Sequence, residues 1–175
     1  MLNVSAPALN HLRNAIMEKQ QLFDQLAREF DLKPADFYFL DLIPLIEVMW
    51  MDGKNQESEL NILYQFVLEH ISYIDQAAGA QVLSVEDAND FLDRFAHKKP
   101  PQKLLTGLHK IIALEKGVSD YRKMDILEYC LDISAACVVH YPYGIRERIQ
   151  HYEKEYLLKL FAEFNISPRK TTELL

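Results

Sequence analysis

Between Phe37 and Met51 the chain reads Phe-Tyr-Phe-Leu-Asp-Leu-Ile-Pro-Leu-Ile-Glu-Val-Met-Trp-Met, an apolar run broken only by Asp41, Pro44 and Glu47. A helix that is apolar nearly all round has to be buried on most of its sides. The remainder of the chain must therefore supply walls around this segment. The run is interrupted and shorter than the roughly 20 apolar residues of a membrane span, so those walls are protein.

The flanking sequence provides them as amphipathic helices. Leu9, Leu12, Ile16, Phe23, Leu26 and Phe30 recur at helical spacing, predicting one long helix over 6–30 with Ser5 as its cap and Pro7 in its first turn. Pro34 opens the apolar helix, expected over 34–52 with a kink where Pro44 forfeits a backbone hydrogen bond. Leu60, Leu63, Phe66, Val67, His70, Ile71 and Ile74 mark a helix over 56–77 ended by Gly79. Ser84-Val-Glu-Asp87 has the spacing of a capping box and opens a short helix to Ala96. Helices over 101–116, stopped by Gly117, over 120–140 and over 151–164 complete the chain. No stretch alternates over strand length. The fold class expected is all-α: a single-domain helical bundle of about seven helices over residues 1–175.

Composition removes several functions. Net charge −7 argues against nucleic acid, which needs a basic face, and no basic, then apolar, leader opens the sequence. We expect a soluble, cytoplasmic protein without membrane insertion. Cys130 and Cys137, about two helical turns apart, are too distant for a disulfide and read as buried free thiols. The six histidines have no zinc spacing, and no phosphate loop, nucleophile elbow or Ser/His/Asp order occurs. The expectation is a protein that is not an enzyme.

The chemistry that is visible gathers at the turn after the apolar run. Asp52 stands at a helix C-terminus, where exposed carbonyls already carry partial negative charge and a cation would be attracted to both. Glu57 and Glu59 follow in the first turn of the next helix. Such oxygen ligands suit Ca²⁺ or Mg²⁺; alternatively, Asp52-Gly53 is simply a turn and the two glutamates a solvated helix start. Asp41, on an apolar helix, needs a partner, expected to be an Arg or Lys of a neighbouring helix. Glu47 points elsewhere on the helical wheel and is expected to mark the side nearest solvent. Tyr141, Tyr143, Arg146, Arg148 and Tyr152 pair tyrosine with arginine, the combination interfaces favour. They form the candidate contact for a protein partner, which could be a second copy in a homodimer.

A degenerate repeat runs through the chain, with one helical hairpin over about 37–77 and another over about 120–164. The segment Ile46-Glu-Val-Met-Trp-Met-Asp52-Gly53-Lys-Asn-Gln-Glu57-Ser58-Glu59-Leu60 resembles the hairpin of the tellurite-resistance TerB-like domains. Gly144-Ile-Arg-Glu-Arg-Ile-Gln-His-Tyr-Glu153-Lys154-Glu155 is similar to that family's second half, but lacks its Asp-Gly. The resemblance covers about a third of the chain. It implies an all-helical fold, an association with stress-response modules and, in some members, a divalent metal held by these acids. Carried over, the metal set is Asp52, Glu57 and Glu59, with Glu153 as the counterpart in the second half.

Overall fold

The computed structural model describes residues 6–51, 53–114, 120–136 and 151–164, with the backbone alone for 6–13, 15, 120, 121, 151, 152 and 161. The protein is all-helical. In order come α1 (Ala6–Phe30), a 3-10 helix (Pro34–Leu42), α2 (Ile43–Met49), α3 (Glu57–Ala78), α4 (Val85–Phe95), α5 (Gln102–Ala113), α6 (Asp120–Ala136) and α7 (His151–Glu163). Ser5, Gly117, Cys137, Val138 and the Tyr141–Gly144 turn lie outside the described residues.

The apolar run forms the centre. Ile43, Pro44, Leu45, Ile46, Val48 and Met49 of α2 are all buried, and the 3-10 helix, α3, α5, α6 and α7 pack around them. An outer layer adds α1 against α5 and α4 against the 3-10 helix. There Phe39 meets Phe91 at a ring-centroid distance of 5.1 Å, and Phe91 meets Phe95 at 4.5 Å. Burying one such ring contributes about 1.5–3 kcal/mol. No helix of the described residues is long and apolar enough to cross a membrane.

Two helix ends follow the local rules. Ser84 accepts the Asp87 N–H at 3.0 Å while the Asp87 carboxylate accepts the Ser84 N–H at 3.0 Å, the reciprocal box expected. Gly79 ends α3 in the left-handed region at φ 67°.

Pro44 behaves differently from expectation. The segment is not one helix kinked at Pro44; it is a 3-10 helix that becomes α-helical at Ile43, with Pro44 in the first turn of α2. The proline ring would collide with the carbonyl four residues back, that of Leu40, in a continuous α-helix. Here the Ile43 N–H donates to Leu40 O, a 3-10 bond that tightens the backbone before the proline. The apolar stripe of α1 is also only partly used. Phe23 is buried and Leu26 and Phe30 pack on the core, but Ile16 is 58 % exposed. With about 1.5 Å of rise per residue, α1 is roughly twice as long as α5, which cannot cover all of it. Close approach of the two is helped by Gly107, where a Cβ would come within 2.6 Å of Leu26.

Asp41 has the basic partner its burial demanded. Arg122 of α6 donates from Nε to Asp41 Oδ2 at 3.1 Å and from Nη2 to Nδ1 of the buried His70. The other ring nitrogen of His70 donates to Tyr38 O at 2.5 Å. Burial, opposed by the nearby Asp41, holds the His70 pKa below the ordinary value, so the ring is a neutral relay and not an ion-pair partner of Asp41, 3.7 Å away.

Candidate functional site

The turn after α2 is sewn to the end of α4. The indole N–H of Trp50 donates to Phe95 O at 3.2 Å, and Asn55 Nδ2 donates to Ala96 O at 3.0 Å. In return Lys99 Nζ donates to Trp50 O at 3.1 Å. Each bond satisfies a carbonyl at a helix C-terminus, where carbonyls lack intrahelical partners. At the negative end of α2 the Lys99 ammonium takes up one of the carbonyls.

The sequence-predicted acids divide among three environments. Asp52 lies outside the described residues. Glu57 is exposed in the first turn of α3. Glu59 is fully buried, and one of its oxygens accepts the Gln56 N–H at 2.6 Å, so it reaches back to its own helix start. Glu153, in the first turn of α7, is also buried. Among the described residues no three His, Cys, Asp or Glu side chains gather as a metal set. Of the proposed contact residues, Tyr141, Tyr143, Arg146 and Arg148 lie outside the described residues, as does the side chain of Tyr152. Cys130 is a buried free thiol, as expected, with its pKa pushed up by burial and by the charge of Glu47.

The structure adds a site that was not read from the residues. Between α5 and α7, with α2 as its floor, lies a cleft of about 500 Å³. On α5, Gln102, Thr106, His109, Lys110 and Ala113 line it, a stripe at helical spacing opposite the face that buries Leu104, Leu108 and Ile111. From α7 come Tyr156, Lys159 and Glu163, again one face; from α2 come Ile46 and Glu47, and from its C-cap Trp50.

Glu47 is the hub. Its Oε2 accepts the Tyr156 hydroxyl and is hydrogen-bonded to His109 Nε2. His109 Nδ1 lies 3.7 Å from Glu163 Oε2, and Lys159 Nζ 3.6 Å from Glu163 Oε1. Glu47 is therefore not a solvent-facing charge: its side chain is 11 % exposed and engaged at the base of the cleft. The correction has a simple cause. A helical wheel shows which way Glu47 points, but not that His109 and Tyr156 arrive there from 62 and 109 residues away. Burial and then the Glu47 charge push the Tyr156 pKa far up, keeping the phenol a proton donor.

The polar side chains at the centre of the cleft are engaged with one another through Glu47, His109, Tyr156, Lys159 and Glu163. The one hydroxyl beside His109 on α5, that of Thr106, donates to Gln102 O at 2.9 Å. The rim is cationic: Lys99 and Lys110 are exposed, and the Lys159 side chain is 66 % exposed. The signal for this site in the sequence was the polar stripe on α5 and the Tyr156–Lys159–Glu163 spacing on α7, neither of which names its partner. The chain matches no family model, no curated protein and no solved structure.

Proposed function

We propose that the protein is a non-enzymatic helical binding module that receives part of a partner protein in the cleft between α5 and α7. The observation that carries this reading is the Glu47–His109–Tyr156 cluster at the base of a cleft of about 500 Å³. That size falls within the range of binding sites, about 300–1,000 Å³, and a few converging polar groups among apolar walls are their usual make-up. The engagement of the His109 ring with carboxylates and of the Thr106 hydroxyl with its own helix supports binding over catalysis. The reading includes the TerB-like resemblance and, with it, a role in a stress-response module. What supports this part is the all-helical fold together with a buried glutamate at the start of the second helix of each hairpin, Glu59 and Glu153.

The test is affinity capture with the wild-type chain, with Thr106→Trp, which fills the cleft from an exposed position, and with Glu86→Trp on the surface of α4 as control. A partner retained by the wild type and the control but lost by Thr106→Trp supports the proposal. Identical partners with all three proteins overturn it.

The burial of Glu59 and Glu153 also favours a second reading, a divalent cation such as Ca²⁺ or Mg²⁺ bound with the participation of Asp52 and Glu57. Titration calorimetry with either ion tests it. Absence of both heat and thermal shift at millimolar metal removes the reading, and binding that survives Asp52→Ala moves the site elsewhere.

A further inference from the structure

The rim of the cleft narrows the choice of partner. The chain carries net charge −7, yet Lys99, Lys110 and Lys159 stand together around this opening. Among the described residues Lys110 makes no ion pair, and Lys99 is held to a neutral carbonyl, so neither charge is neutralised by a side chain. The two carboxylates within the cleft are already engaged, Glu47 by His109 and Tyr156, Glu163 by Lys159 and His109. An entering anion therefore meets the Lys99 and Lys110 ammonium groups and the Lys159–Glu163 pair at the rim, and the hydrogen-bonded Glu47 carboxylate at the base.

Spacing separates the classes of anion. From Gln102, the first residue of α5, to Lys110 the helix rises about 12 Å at about 1.5 Å per residue, and Lys99 precedes Gln102. A single small carboxylate or phosphate cannot touch lysines at both ends. An extended peptide covers that distance in about four residues at roughly 3.3 Å each. Nucleic acid, charged at every phosphate, would carry most of its charge past the rim of a protein whose net charge is −7. We infer that the cleft takes an extended acidic peptide segment of a partner protein, with aspartate or glutamate side chains on Lys99, Lys110 and Lys159 and its apolar side chains against Trp50, Met51 and Ala113. This rests on the cleft being the binding site, as proposed above.

The experiment is fluorescence anisotropy on the full chain with a labelled peptide of alternating Glu and Ala, and with the same peptide carrying Gln for Glu. The Glu peptide is expected to bind about tenfold tighter than the Gln peptide and to weaken with added NaCl. Lys110→Glu should weaken it about fivefold to tenfold, and Lys159→Glu similarly, without altering the circular dichroism. Equal affinity for both peptides, sensitive to Thr106→Trp, overturns the acidic class and leaves the cleft standing. Binding indifferent to both lysine variants and to Thr106→Trp overturns both. Succinate or inorganic phosphate displacing the peptide with equal affinity assigns the site to a small anion instead. Concentration-dependent self-association abolished by Lys110→Glu assigns it to a second copy of this chain; either result refutes the inference.

Discussion

Replacing Arg122 by Met should be among the most damaging single changes in this protein, and its cost can be worked from the contacts. Arg122 is 6 % exposed. It holds Asp41 at 3.1 Å, donates to the buried His70, and stacks over Phe66 and Tyr73 with its guanidinium 4.7 Å and 4.9 Å from the ring centroids. Removing one partner of a buried ion pair costs about 3–5 kcal/mol because the other charge stays behind. The Asp41 side chain is 18 % exposed, so the lower end, about 3 kcal/mol, applies here. Losing the cation over two aromatic faces adds about 0.5–1 kcal/mol, since Met keeps the apolar part of the stacking. The sum, about 3.5–4 kcal/mol, corresponds to a Tm lowered by roughly 7–16 °C at about 2–4 °C per kcal/mol for a chain of this size. Urea denaturation at neutral pH, followed by circular dichroism and by the fluorescence of the single tryptophan, Trp50, measures it. A second arm isolates the cause: because the orphaned carboxylate dominates, Asp41→Asn in the Arg122→Met background should recover about 1–2 kcal/mol. A loss below about 1 kcal/mol for the single variant, or no recovery in the double, would refute the reasoning.

Three further outcomes are expected. His70 is held neutral by burial in the folded state, whereas in the unfolded chain it gains a proton at its ordinary pKa of 6.5; below that pH the unfolded state binds more protons. Stability is therefore complete above pH 6.5 and falls as pH drops, by at most about 1.4 kcal/mol per pH unit from this group. In His70→Gln, the slope of urea-derived stability just below that pH should flatten, and an unchanged slope counts against the assignment. Asp31 occupies the left-handed region at φ 54° behind the C-terminus of α1, where both its Cβ and its charge are unfavourable. Asp31→Gly should stabilise by about 1 kcal/mol in thermal denaturation, and a lower Tm would contradict this. Tyr156→Phe removes one of the two described hydrogen bonds to Glu47 Oε2 at the cleft base. Its expected cost is about 1 kcal/mol of stability, with the ring otherwise in place; a cost near zero would mean that water replaces the hydroxyl.

The all-α class, the position of most helices and several of their ends were legible in the sequence because they are set by neighbours three or four residues apart. The Ser84–Asp87 box and the Gly79 stop are cases of this kind. So is the demand of Asp41 for a basic partner, since the cost of burying a carboxylate is a property of the group. The helix type around Pro44 was partly legible: the proline announced a disturbance, but not that 3-10 bonding ahead of the proline would absorb it.

What only the tertiary structure decided is which polar faces meet. Arg122 reaches Asp41 across 81 residues, and the cleft forms because Glu47, His109 and Tyr156 converge from α2, α5 and α7. The energy that brings these helices together comes from burying their apolar faces, which is non-directional. It specifies that α5 and α7 pack near α2, and says nothing about the polar residues carried on the flanks of the same helices. Local pattern thus determined the elements and the central burial of the segment that began at Phe37, while the geometry of packing determined that Glu47 on that segment would become the floor of a lysine-rimmed cleft.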